Sequence, residues 1–336
     1  MPFLFPFIAL DQPTWRCLEA VESSLSTSEI AHKSDLQLWK VSKILKSIKG
    51  QSTGIRLSFE IDFKKAGLLN VATISRRNLE RVPYLQAQRV LRVLGQKMFL
   101  YTSILPIEDF PIEEWLSTFE ESALTVKALE RKWWKIGVPA TVYLEGWVHG
   151  DLEAIKVNDK SQPTFPAQRE IELDSEDVLL LWVKFRWPFA SLREAERESE
   201  KYLGKRISHQ VLSWHFRNHV LKLWVGNRVW LYADAQQIPY RLIYLEGKDA
   251  PAVARALVQL PWFHTAYIDI EKAIVSGQPP CASMLHLYKV LGDLDVDAVE
   301  FTMEVSVAKW VPIYNLLGQF IEWKEADAKE RRVVSK

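Results

Sequence analysis

The sequence predicts an α+β fold: two winged helix-turn-helix domains alternating with two ferredoxin-like (βαββαβ-type) α/β domains. Three observations carry this expectation. A capped pair of short helices is legible between Ser26 and Lys49, a strand-like run follows it, and the same order of signals returns after residue 170.

The N-terminal MPFLFPFIAL is apolar but lacks a basic leader, a cleavage site and the length to span a bilayer, so it is expected to pack as an arm or strand. From Thr14 to about Ser23 an apolar-periodic stretch supplies a first helix. Ser26 and Glu29 then form a capping box, whose hydroxyl and carboxylate satisfy the first free amides of a second. Next, Val41, Ile44, Leu45 and Ile48 fall on one helical face. The opposite face collects Trp39, Lys43 and Lys46, with Ser42 and Ser47 beside them and Lys40 and Lys49 on the flanks. A capped helix, a tight turn and a helix that is apolar inside and basic outside make the helix-turn-helix pattern. Gly54–Ile61 alternates as a wing strand would.

Beyond the wing, Leu69–Ser75 reads as a strand, Tyr84–Leu94 as a helix, Met98–Leu105 as a strand and Pro111 to about Ser122 as a helix. Further strands near Thr125–Trp134 and Ala140–Trp147 complete an α/β unit. Residues 149–170 are polar, with two prolines and no sustained period, and serve as the linker. After it, Leu173-Asp174 repeats Leu10-Asp11, Ser191–Glu194 repeats the cap, and Leu212–His219 lines up with Val41–Ile48. A wing at Asn227–Tyr232, a strand at Arg241–Glu246, a helix at Ala250–Leu260, a strand at Phe263–Ile270 and a helix at Pro280–Leu291 follow. Later strands are expected at Ala298–Val307 and Val311–Tyr314. The resulting division is winged helix 1 with its arm (1–61), α/β domain 1 (62–148), linker (149–170), winged helix 2 (171–234), α/β domain 2 (235–325) and a charged tail (326–336).

Leu10-Asp11, Ser26-x-x-Glu29-Ile30-Ala31, Val41-Ser42-x-x-Leu45-x-x-Ile48 and Ile61-Asp62-Phe63-Lys64-Lys65-Ala66-Gly67-Leu68 resemble the Lrp/AsnC family of bacterial and archaeal transcription regulators. Phe63 stands where that family has proline, and Ser34-Asp35 where a glycine turn is common. The resemblance implies a DNA-binding regulator present as a diverged tandem duplication, two winged helices in one chain imitating a two-fold dimer. The family binds amino acids near a glycine-containing turn. Leu94-Gly95-Gln96 lies in about that place, but the acidic partner is missing and Pro261-Trp262 stands in the second copy, which puts an effector in doubt.

Composition bounds the rest. A chain of 336 residues, 48% hydrophobic and 25% charged, has room for two or more folded domains. Two distant cysteines, Cys17 and Cys281, indicate neither a disulfide framework nor a cysteine zinc site, and a cytoplasmic setting is expected. Net charge is only +1, but charge is segregated: residues 201–228 carry bases and no acid, and 108–121 acids and no base.

The residues expected to meet double-stranded DNA are Trp39, Lys40, Ser42, Lys43 and Lys46 on the first recognition-like helix, Gln210, Ser213, Trp214, Arg217 and Asn218 on the second, and Arg228 in the second wing. Arg and Gln can read base edges, and Lys or Arg can neutralise phosphates. The competing reading is a solvated helix face, or a non-enzymatic adaptor that uses winged helices and exposed tryptophans to bind a protein or ribonucleoprotein. Arg76, Arg77, Arg81, Arg89 and Arg92 form a second basic cluster, assigned to pairing with the acidic stretch 108–121. His215 and His219, at i and i+4, have metal-ligand spacing, but they align with the inward Ile44 and Ile48 and are read as packing histidines. No phosphate loop, nucleophile elbow or His-Glu-x-x-His occurs. The expectation is therefore a non-enzymatic regulator without cofactor or metal, partnered by double-stranded DNA, with self-association through its α/β domains, a protein partner as the further option, and no membrane.

Overall fold

Local capping decides where the first helices begin and end. The computed structural model describes residues 4–50, 54–108, 110–164, 169–319 and 321. After strand β1 (Leu4–Ala9), Asp11 caps α1 (Gln12–Val21) by accepting the Thr14 amide at 2.8 Å. Ser26 caps α2 (Thr27–Ser34) through the Glu29 amide, and Glu29 Oε2 reaches back to the Leu25 amide at 2.8 Å. Asp35, at φ 51°, stops that helix in the left-handed conformation that short polar side chains tolerate. In α3 (Leu38–Lys49) the apolar stripe predicted from spacing buries Val41, Leu45 and Ile48. β2 (Ile55–Ile61) follows.

The second half repeats this order of elements. Asp174 and Asp177 form a full capping box for α5 (Ser175–Arg186), and Ser191 and Glu194 form another for α6 (Leu192–Leu203). α7 (His209–His215) runs into a π-helical turn (Phe216–Val220) and the short α8 (Leu221–Leu223) before β10 (Trp224–Leu231). The two candidate wing strands do not stand apart as hairpins. β2 pairs antiparallel with β10, from Ile55 opposite Leu231 to Ile61 opposite Trp224.

Between them lie β3 (Leu68–Ser75), β4 (Leu85–Val93), β5 (Gln96–Pro106), α4 (Ile112–Leu116), β6 (Leu124–Lys127), β7 (Glu130–Trp133), β8 (Thr141–Leu144) and β9 (Trp147–Asp151). After β10 come β11 (Arg241–Glu246), α9 (Ala250–Leu257), β12 (Phe263–Ile268), β13 (Lys272–Gly277), α10 (Cys281–Gly292) and β14 (Asp297–Trp310). β1, β9 and β8 make a three-stranded sheet, so the N-terminal arm is a paired strand. The remaining strands form one nine-stranded sheet in the order β6-β3-β5-β4-β14-β11-β13-β12-β7. Each half thus lays its strands in the order fourth, first, third, second.

The halves are tied by their fourth strands. β14 pairs with β11 over Asp297–Thr302 and then with β4 over Thr302–Trp310. β6 pairs with β3, and β7, two residues further on, pairs with β12 at the opposite edge of the sheet. The two edges are therefore joined through the bend at residues 128–129. Strands of both halves close over a shared apolar cluster in which Ala72, Ile74, Leu91 and Leu100 meet Leu242, Tyr244, Ile274, Phe301 and Met303. A covered sheet of this kind buries all eight residues of β3.

Three expectations change. Residues 84–94 form β4, not a helix: Leu94 and Gly95, both at positive φ (47° and 81°), make the tight hairpin into β5 that the right-handed strand twist favours. The helix after Pro111 is one short turn, α4. The strand expected at Phe263–Ile270 is present as β12, which ends at Ile268 and pairs with β13, a strand not expected from the sequence. Val311 and Pro312 leave the sheet, and a helical segment occupies 313–319. The charged tail at 326–336 lies outside the described residues. Of the predicted linker, residues 149–151 belong to β9, and Asp159 and Ser161 accept hydrogen bonds through their carbonyls from buried Arg255.

Candidate active site

A cavity of about 590 Å³, within the range of small-molecule sites, lies between the β2–β10 pair and the nine-stranded sheet. β2 contributes Arg56, Ser58 and Glu60, and β10 contributes Trp230. Facing them are Asn70 of β3, Arg131 of β7 and Tyr267 of β12. The C-terminal end of α5 adds Trp182, Phe185, Arg186 and Trp187, and Trp310 and Ile313 come from the far end of the chain. Four basic side chains (Lys49, Arg56, Arg131, Arg186) line this space against one carboxylate, Glu60. Several of these cations lie over aromatic rings. The Arg186 guanidinium is 4.6 Å from the Trp182 ring centroid, and Lys49 Nζ is 5.6 Å from that of Trp187.

Glu60 is already committed. Its Oε2 accepts from Arg131 Nη2 at 2.7 Å, its Oε1 accepts from Ser58 Oγ at 2.7 Å, and Arg228 Nη1 stands 3.7 Å away. Burial pushes the Glu60 carboxyl up, but Arg131, Arg228 and Ser58 together outweigh it and hold it below the ordinary carboxylate range. Arg228 itself is depressed to about 10, first by burial and despite Glu60. One carboxylate thus serves two guanidiniums, and Arg131 is the one it neutralises. Of the other cations on the wall, Lys49 reaches Glu194 at 3.9 Å and Arg186 reaches Glu198 at 3.5 Å, both outside the cavity lining, and Arg56 lies over the Tyr232 ring.

Behind this layer, His264 is buried between the Leu231 carbonyl, to which Nε2 donates at 2.7 Å, and the Tyr240 hydroxyl at Nδ1. Burial, followed by the field of Arg228, pushes its pKa from 6.5 down to about 3. The unfolded chain takes up a proton below about pH 6.5 that the folded chain refuses until about pH 3. Stability is therefore complete above pH 6.5 and falls with acidification by about 1.4 kcal/mol per pH unit across that window. Urea midpoints measured from pH 7 to pH 4 should fall more steeply for the wild type than for His264→Gln. Parallel slopes would refute the assignment.

A second constellation joins α5 to α7. His215 Nδ1 lies 3.1 Å from Asp177 Oδ1 and 3.4 Å from Asp174 Oδ2, and His219 Nδ1 lies 2.8 Å from Asp177 Oδ2. Asp177 is fully buried, and burial, then the neighbouring Asp174, raise its pKa. The two histidines do turn inward, as the alignment with Ile44 and Ile48 predicts, but what they meet is a carboxylate pair, not an apolar seam.

The residues singled out from sequence lie largely elsewhere. Lys43, Lys46 and Ser42 are exposed on α3, Lys40 is half-buried, and Trp39, 63% exposed, donates to Gln37 at 2.5 Å. On α7 and the turn after it Gln210 is exposed and Ser213 half-buried, and Trp214 lies edge-on to both histidines. Arg217 and Asn218 donate back to the Ser213 and Trp214 carbonyls of their own helix. Arg228 is corrected outright. Because β10 pairs with β2, its side chain is 1% exposed, lies over the Trp230 ring and donates to the His264 carbonyl, out of reach of an external polyanion. None of the predicted residues lines the cavity. Of the basic cluster, Arg92 pairs with Glu304 of β14 at 3.0 Å, and the Arg76 amide donates to Glu120 within the acidic stretch. No helix among the described residues is long and apolar enough to cross a membrane.

The chain matches no protein-family model and no curated protein sequence. Its fold is similar to two solved structures. One is the siroheme decarboxylase NirDL, at 10% identity and a TM-score of 0.50, covering 94% of this chain and 100% of that one. The other is the same decarboxylase in co-complex with an iron-uroporphyrin III analogue, at 10% identity and a TM-score of 0.51, covering 94% and 98%. These findings correct the functional expectation. The solved structures that this fold resembles over nearly the whole chain are those of an enzyme, so the non-enzymatic DNA-binding regulator, the tandem Lrp/AsnC duplication invoked for it and the adaptor alternative are all set aside. The physical reason for the misreading is that exposed lysines on a helix look the same whether the helix reads DNA or walls a cavity from behind.

Proposed function

We propose that the chain is a decarboxylase acting on a planar, polycarboxylated macrocycle of the tetrapyrrole class, held in the cavity between β2–β10 and the nine-stranded sheet. The observation that carries this reading is the wall itself: aromatic faces at Trp182, Trp187, Trp230 and Trp310 interspersed with the cations Lys49, Arg56 and Arg186, two of which are held from outside the cavity by Glu194 and Glu198. Flat rings stack on such faces, and guanidinium forks match carboxylates. The whole-chain likeness to a siroheme decarboxylase supports the same substrate class.

In this scheme the cations hold the carboxylates that are kept. The one that is lost sits against the apolar wall of Phe63 and Phe185, where poor solvation favours departure of neutral carbon dioxide. The C–C bond breaks, its electron pair stays on the macrocycle side chain, and a proton replaces the carboxylate. Tyr267 and Lys49 are the proton-bearing groups on the wall. The three-helix segments ending in β2 and β10 are read as winged helices whose strands roof the cavity. The sheet quartets are read as ferredoxin-like units, whose βαββαβ chain gives the order fourth, first, third, second. Unpaired Cys17 and Cys281 support a reducing, cytoplasmic setting.

Titration with iron-uroporphyrin III should give a saturable shift of the porphyrin absorption band. Each of Arg56→Ala and Arg186→Ala should weaken it roughly 10–100-fold, since a charge-assisted contact is worth about 1.5–3 kcal/mol. Mass spectrometry after incubation with siroheme should show loss of carbon dioxide. Absence of any spectral change sinks the reading, and binding without mass loss sinks its catalytic half.

A further inference from the structure

The cluster at the start of α5 has the composition and spacing of a ligand set. Asp174 and Asp177 are separated by three residues on one helix, His215 and His219 by four on the helix packed against it, and their ligand atoms all lie within 4.8 Å of one another. The closest cross-pairs are 2.8, 3.1 and 3.4 Å, the first two being hydrogen bonds, so the donors need to spread by only about half an ångström to reach the edge of about 3.3–3.5 Å expected when each sits about 2.0–2.2 Å from a single zinc-sized ion. Neither carboxylate has a lysine or arginine partner among the described residues, although Asp177 is fully buried. Asp174 keeps 44% of its side chain exposed, but a fully buried carboxylate such as Asp177 without a basic partner is expensive, and a divalent cation removes that cost.

The surroundings hold the donors in place. Asp174 Oδ1 is fixed by the Asp177 amide at 2.9 Å, which leaves Oδ2 turned toward His215. The π-helical turn at Phe216–Val220 starts directly after His215 and contains His219, and such widened turns recur at functional sites. Trp214 covers the cluster edge-on, with ring centroids 5.0 and 5.1 Å from the imidazoles. The first three-helix segment carries the same aspartate cap, Asp11, but has Ile44 and Ile48 on its third helix.

We propose that Asp174, Asp177, His215 and His219 bind one divalent first-row transition cation, zinc being the leading occupant, and that the ion clamps α5 to α7. Imidazole with carboxylate suits zinc, and four protein donors leave no open position, as in a structural centre. This inference does not rest on the tetrapyrrole reading, although α5 carries Trp182 and Arg186 into the cavity at its other end.

The test uses the full-length, untagged protein, stripped with chelator and titrated with Zn(II) alone by calorimetry, alongside thermal melts. One ion per chain and a rise in melting temperature are expected. Cobalt(II) should give the visible absorption bands of a tetrahedral nitrogen–oxygen site. His219→Ala and, should that variant fold poorly, His219→Gln should weaken zinc binding by more than the roughly 10–100-fold that outer-shell partners cost. No saturable binding in the wild type, or affinity unchanged in a variant that remains folded by circular dichroism, overturns the proposal. Iron-uroporphyrin III binding, measured separately, should survive His219→Ala, so the two readings fail independently.

Discussion

Glu60→Gln is expected to destabilise the fold by about 3–5 kcal/mol, the range found when one member of a buried ion pair is removed. The substitution preserves shape and an acceptor for Ser58 and Arg131 while deleting the only negative charge beside two guanidiniums, one of them 1% exposed. Arg228 Nε and Nη1 already lack hydrogen-bond partners, so nothing nearby can substitute. Urea unfolding at neutral pH measures the loss. Adding Arg228→Met to Glu60→Gln should recover part of it, because an apolar side chain of similar length suits the site better than an unpaired charge. A loss under about 1 kcal/mol would show that solvent, not Glu60, neutralises the pair.

The second large effect concerns Trp262, which is 1% exposed and links the three-stranded sheet to the core below α9. Its ring lies against Gly150 of β9, where an added Cβ would fall 2.2 Å from two ring carbons, and meets Phe7 of β1 edge-on at 6.2 Å. Trp262→Ala should destabilise by about 3–5 kcal/mol through lost burial and the cavity left behind. Gly150→Ala should cost about 1–3 kcal/mol by overpacking. The double variant should be less destabilised than the sum, since the methyl then enters the vacated space. Strict additivity would mean that the ring does not occupy the glycine's side-chain volume.

Signals confined to a few neighbouring residues were legible in the sequence. Asp11, Ser26 and Ser191 stand at their helix starts, and Arg241–Glu246 is β11 as predicted, because caps and alternation are local. Residues 85–93 were misread because Leu85, Ala87, Val90, Leu91 and Val93 fit either period; they pair with β5 across the Leu94-Gly95 turn on one side and with β14, more than 200 residues later, on the other. The cavity was not legible for the same reason. Arg56, Arg131, Arg186 and Trp310 carry no shared spacing, and only the sheet closure brings them together. Arg228 shows the converse: a basic residue in a wing-like strand looks solvent-facing until its strand finds a partner from the other half. His215 and His219 do give a signal, their i, i+4 spacing, but their alignment with the inward Ile44 and Ile48 points to packing, and the aspartates they meet lie some forty residues upstream.

The pairing of strands between the two halves has a consequence for biosynthesis. β2, β4 and β7 leave the ribosome long before β10, β14 and β12, the segments that complete them, have been translated. At about 5–20 residues per second the wait is on the order of ten seconds or more, with open hydrogen-bonding edges on a nascent chain. The N-terminal half should therefore engage a chaperone during translation and aggregate when expressed alone.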